Sequence, residues 1–140
     1  MATTTSHDLG WLLTDFVKRT NGALSALVTS RDGLQVKSLN FDEDGTADTL
    51  SAIASGLHSL ALGAAPLLGN TGGVRQVVVE LDEGHLFVMA AGTGALLTVL
   101  VDTQAEIGQV SYEMTLLVNQ VPGYLSVAPR SDQAAAATAV

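Results

Sequence analysis

Cysteine is absent from this chain of 140 residues. Its absence removes disulfides, thiol catalysis and cysteine-ligated zinc together, and fits a reducing compartment. Positive charge is scarce too: six lysines and arginines stand against fourteen aspartates and glutamates, a formal net charge of -8. The six are scattered, so there is no basic patch to neutralise phosphates, and nucleic acid is not an expected partner. Met1 to Asp8 has neither a positively charged segment nor an apolar run, so no secretion signal is read and a cytoplasmic location is expected. The length suits one domain with a substantial core.

What the chain does have is a long stretch without any formal charge, between Asp48 and Arg75. Its centre, Thr49 to Leu68, predicts a helix. Leu50, Ile53, Leu57, Leu60, Ala61 and Ala64 follow helical spacing and form one apolar stripe. Ala52, Gly56, Ser59 and Gly63 form a second stripe of small residues. Glycine inside a helix costs about 1 kcal/mol relative to alanine, so two on one face imply close approach of another backbone. The pattern predicts a helix with two buried sides, one on the protein's own sheet and the other on a partner subunit. The helix is long enough to span a membrane, but Ser51, Ser55, Gly56, His58 and Ser59 interrupt it. No basic cluster flanks it, and membrane insertion is not expected.

Residues 1–7 are polar and expected to be disordered. Leu9, Leu12, Leu13, Phe16 and Val17 then predict an amphipathic helix capped by Asp8 and stopped at Asn21-Gly22. Ala23 to Ser30 shifts to period two, Arg31-Asp32-Gly33 signals a turn, and Leu34 to Leu39 alternates again, which predicts a hairpin. An acidic loop with Asp42, Glu43, Asp44 and Asp48 leads into the central helix and suits its positive end. Three strands follow: Val74 to Leu81, His85 to Ala91 and Ala95 to Val101. The last two are apolar on both faces, with Leu86, Val88 and Ala90 on one side and Phe87 and Met89 on the other, so helices should cover both faces of the sheet. Thr103 and Glu106 suggest a capping box for a last helix buried through Ile107, Val110, Met114, Leu117 and Val121, and ended by Pro122-Gly123. Residues 126–140 read as a disordered alanine-rich tail. The domain is therefore expected over residues 8–125, as an α+β fold with a five-stranded antiparallel sheet between helices.

Few residues offer chemistry. His7, His58 and His85 are the only histidines, and none has a second ligand at helical spacing. Ser59, His85 and Asp82 could be assembled into a triad on paper, but no nucleophile elbow accompanies them. Gly69 to Gly73 lacks the lysine and preceding strand of a phosphate-binding loop. No catalytic, metal or cofactor site is expected, and the chain reads as a non-enzyme. Arg75, at the start of the third strand, is open to two readings: a contact to a partner's carboxylate or nucleotide, or a charge that keeps an edge strand soluble. Trp11, Tyr112 and Leu116 lie off the buried stripes of their helices. They either fill the groove between the helices or anchor a partner.

Leu27 to Leu34, Val77 to Leu81 with Ala90-Ala91-Gly92, Leu97 to Leu100 and Ala105 to Met114 together resemble the Roadblock / dynein-light-chain superfamily, in its bacterial form. The likeness runs from about Leu9 to Leu125 and lies in the whole arrangement. It implies profilin-like layers and a homodimer in which central helices pack together and third strands pair. The interface residues it implicates here are Ala52, Gly56, Ser59, Gly63, Arg75, Val77 and Val79. It further implies a regulator or scaffold for a Ras-like small GTPase, with a sensor-kinase-like protein as a further associate. The residues agree independently on one point: the third strand is an edge in a single chain, and a long edge invites pairing. The alternative is a small-molecule sensor with an apolar pocket.

Overall fold

Alternating runs produce the first two strands, and continuous apolar runs bounded by turns produce the last two. The structure, a computed structural model, describes residues 2–125. Ala23–Ser30 forms β1 and Gln35–Leu39 forms β2, joined where Gly33 N donates to Ser30 O at 3.1 Å. Gln76–Leu81 is β3, Gly84–Ala91 is β4 and Ala95–Val101 is β5. They pair antiparallel in the order β2-β1-β5-β4-β3. The hairpins β1–β2, β3–β4 and β4–β5 are local, whereas β1 against β5 closes the sheet over a long loop. As expected, β3 is an edge; β2 is the other.

The helices are α1 (Ala2–Arg19), α2 (Thr46–Leu67), α3 (Ile107–Val118) and α4 (Val121–Leu125). They cover the two faces unequally. Under α1, α3 and α4 lies the main core, with Leu9, Leu13, Phe16, Phe87, Leu97, Val99, Met114 and Leu117 all fully buried. Under α2 the buried apolar cluster is smaller, formed by Ala54, Val88 and Leu96. Phe87 and Met89 point to the first face and Val88 to the second, so β4 is covered on both sides as its sequence predicts. Phe87→Ala is expected to cost about 3–5 kcal/mol, because neighbouring strands hold the cavity open. Urea unfolding measures this.

Three expectations at helix ends are corrected. First, α1 begins at Ala2 and not after Asp8, so the polar run expected to be disordered continues the helix. No proline or glycine interrupts residues 2–8, and extending an existing helix is far easier than nucleating one. Second, the Thr103–Glu106 capping box does not form. Glu106 is itself the N-cap, without a side-chain cap bond. Asp102 Oδ1 instead accepts from Gln104 N at 2.8 Å, and this turn uses the residues that the box required. The helix is buried through Val110, Met114, Leu117 and Val118, leaving Ile107 exposed. Third, Pro122-Gly123 lies inside α4, with Pro122 in its first turn where a missing N–H costs nothing. The expected tail, 126–140, lies outside the described residues.

Candidate interaction surface

The side that α2 presents to the sheet differs from expectation. Ala47, Ser51, Ala54 and His58 are the buried residues, spaced at four, three and four. The predicted apolar stripe is rotated to the flank: Leu50, Leu57 and Ala61 are half-buried, while Ile53 is 49% and Leu60 76% exposed. The sheet below carries bulky Val77, Val88 and Leu96, so small residues above let the helix axis sit close. Polar groups secure the contact. Ser51 Oγ donates to Ala47 O at 2.7 Å, and Ser55 Oγ donates to Arg31 O at 2.6 Å in the β1–β2 turn.

The small stripe faces outward. Gly56, Ser59 and Gly63 are exposed, and a Cβ added at Gly56 or Gly63 would meet nothing within 4 Å. Ala52 is exposed as well, though its backbone lies beside Gly33 of the β1–β2 turn. With Ile53, Leu60 and Leu67 the glycines form one uncharged ridge from 53 to 67, about 21 Å long at the helical rise. The exposed leucines were missed as part of this surface. Their signal was legible, since Ile53, Leu60 and Leu67 recur every seven residues beside Gly56 and Gly63.

The second component is the β3 edge, whose backbone pairs, among the described residues, with β4 alone. Val77 packs beneath α2, and alternation places Val79 on the same side; both are half-buried. Gln76 faces α3, where its Oε1 accepts from Ser111 Oγ at 3.0 Å, and Val78 on that side is 39% exposed. Arg75 immediately precedes β3, is exposed, and has no ion pair among the described residues.

The proposed aromatic filling of the α1–α3 groove is overturned. Trp11 is 60%, Tyr112 59% and Leu116 40% exposed. Leu12, Leu13, Phe16, Val110 and Met114 fill the interior, and Arg19 bridges the helices by pairing with Asp15 and Glu113. The rings are left on the surface.

The titratable groups do not converge. His85 lies against Phe87, on the α1–α3 side of the sheet, whereas Ser59 is on the outer side of α2, so the paper triad is split by the sheet. Among the described residues, no three His, Asp or Glu side chains gather at a metal-binding spacing. A concavity of about 390 Å³ at the start of α2, with Asp44, Thr46 and Thr49 beside Leu50 and Ile53, is open to solvent and does not enclose a ligand as the pocket of a small-molecule sensor would.

His58 is the one buried titratable side chain among the described residues. It is 4% exposed, and its Nε2 has no hydrogen-bond partner among the described residues. Burial, and then the nearby Arg31 charge, hold its pKa below the usual 6.5. The native state therefore keeps the imidazole neutral while the unfolded chain takes up a proton near pH 6.5. Stability is complete above that pH and declines as pH falls through it toward the lower native value. The thermal midpoint is expected to drop between pH 7.5 and pH 5.5, and His58→Gln should reduce that dependence.

Comparison with known proteins places this geometry. Residues 9–101 match the Roadblock/LC7 domain family. A Roadblock/LC7 domain from Streptomyces avermitilis is 43% identical and superimposes with a TM-score of 0.79, covering 84% of this chain and 98% of that one. An MglB in a tetrameric arrangement is 22% identical, with a TM-score of 0.77 over 86% of this chain and 89% of that one. Gliding protein MglB from Thermus thermophilus, also 22% identical, gives 0.76 over 91% and 93%. These last two establish likeness of fold alone. A comparison with curated proteins found no match. The sheet order, the single helix on one face and the family match over residues 9–101 lead to one conclusion: the chain belongs to the Roadblock/LC7 domain family.

Proposed function

We propose that this domain is a non-enzymatic homodimer that regulates or scaffolds a Ras-like small GTPase in the cytoplasm. The observation that carries the proposal is the pairing of two unfinished surfaces: the uncharged outer ridge of α2 and the unpaired edge of β3. A two-fold axis beside both completes both, because isologous contact pairs each surface with its own copy. Ala52, Gly56, Ser59 and Gly63 supply the helix contact, and Arg75, Val77 and Val79 the strand contact. By length and composition α2 could also cross a membrane, with a mean hydropathy of 1.4. In this reading a partner helix, rather than lipid, covers its outer ridge.

The GTPase assignment follows from the family resemblance, and the fold likeness to MglB supports it. Exposed Trp11, Tyr112 and Leu116 are the candidate anchors for the GTPase or for a sensor-kinase-like associate, since aromatic residues dominate binding hot spots. Arg75 is a further candidate contact. Two measurements test the proposal: light scattering over a micromolar dilution series, and capture of the GTPase in its GDP- and GTP-bound forms. A persistent dimer that captures at least one form is the expected result. A monomer, or a dimer that captures neither form, overturns it.

A further inference from the structure

Charge along the β3 edge is unevenly distributed. Arg75 stands just before the strand, Glu80 near its end, and Asp82 and Glu83 in the two-residue turn to β4. All four are exposed. The ion pairs among the described residues are those of Arg19 with Asp15 and Glu113, so none of these four is paired among the described residues. The edge is positive at its beginning and negative at its end. Laid parallel on its own copy it sets like against like; laid antiparallel it sets opposite charges together at both ends.

We infer that Arg75 and the partner's Asp82–Glu83 turn form two symmetry-related ionic clasps that fix the direction of a β3–β3 junction between two copies of this chain. The inference rests on the homodimer reading above and adds what orients it. Register follows from side-chain alternation. Residues directly opposite in an antiparallel pair share a face, so a two-fold axis passes through a residue and not between two. The axis then falls on Val78 or on Val79.

With the axis on Val79, Arg75 stands directly opposite the partner's Glu83, but Val78 faces the partner's Glu80, an apolar side chain against a charge, twice over. With the axis on Val78, Val78 meets its copy and Val77 meets the partner's Val79 twice. Gln76, whose Oε1 is already taken by Ser111, then turns its amide N–H groups toward the partner's Glu80. Arg75 stands diagonal to the partner's Glu83, at the separation of about 7–8 Å that a long side chain spans. The Val78 register satisfies the valines, the amide and the charges together, and it is the one we assign. It excludes a wrong partner by the same charges, because a strand edge without acids opposite Arg75 leaves that guanidinium unpaired.

The absence of cysteine makes the register directly testable. Under mild oxidation of the full chain, Val78→Cys is expected to cross-link into a covalent dimer and Val79→Cys much less. Cross-linking of Val79→Cys instead overturns the register, and failure of both overturns strand pairing. The clasp is read by light scattering. Arg75→Glu is expected to raise the dimer Kd about tenfold or more, as is the double variant Asp82→Arg with Glu83→Arg. An equal mixture of these two proteins regains both attractive contacts, so heterodimer should form at near parental affinity. That rescue cannot come from a misfolded variant. If the parent dimerises but Arg75→Glu leaves its Kd unchanged, the clasp is wrong and the homodimer stands; if the parent is monomeric, both fall.

Discussion

Gly84→Ala is expected to unfold the domain, or to leave it with a small fraction of its stability. Gly84 opens β4 at φ 154, a backbone region closed to other residues, and a Cβ there would lie 2.1 Å from Val101 O and 3.2 Å from Val101 C. The obstacle is backbone, so no rotamer change relieves it. Val101 is also held in register opposite His85, so moving it breaks the β4–β5 ladder beside the main core. Strain and lost pairing together should exceed about 3 kcal/mol, much of the margin of an ordinary domain. Urea unfolding followed by circular dichroism reads the result. A midpoint equal to the parent's would mean that the ladder can open at this point without cost.

The second large effect concerns association. Gly56→Leu is expected to give a folded monomer at concentrations where the parent is dimeric. The space above Gly56 is open within one chain, and leucine favours a helix over glycine by about 1 kcal/mol, so the isolated domain should be no less stable. In a dimer built on this face the added side chain occupies the approach of the partner backbone. Overpacking costs about 1–3 kcal/mol at each site, and two-fold symmetry imposes it twice, so Kd should rise about thirtyfold or more. Gly63→Leu should act alike. Ser38→Leu, on the opposite edge strand, should leave association unchanged. Tight dimerisation of Gly56→Leu would remove the small stripe from the interface.

How much of this was legible in the sequence varies with the range of the interaction concerned. The spans of β1 and β5, Ala23–Ser30 and Ala95–Val101, coincide residue for residue with the runs read from the sequence, the first by its alternation and the second by its apolar run between turn signals. Alternation is a local property, and tight turns such as Arg31-Asp32-Gly33 bound it. The double covering of β4 was legible as well, because Phe87 and Val88 are both apolar and must both be buried. The start of α3 was not. Thr103 and Glu106 fit a capping box, but the chain leaving β5 needs those residues to turn, and Asp102 wins the competition for the backbone N–H groups. Nor was the placement of Trp11, Tyr112 and Leu116, since helical spacing says that a residue is off the buried stripe but not whether a neighbouring helix reaches it.

The central helix shows where the boundary falls. Its existence, its lack of charge and its small stripe follow from the sequence alone, because 3.6-residue periodicity and glycine's lack of a side chain are intrinsic to the chain. So do the five strands and the three long helices. Which stripe of α2 meets the sheet was decided only in the tertiary structure: Val77, Val88 and Leu96 stand high on that face, and the row Ala47, Ser51, Ala54 and His58 fits over them where larger leucines would hold the helix away. The pairing of β1 with β5 was likewise decided there, because no local pattern records a contact between strands separated by most of the domain. Periodicity specifies faces, while the surface opposite determines which face is buried.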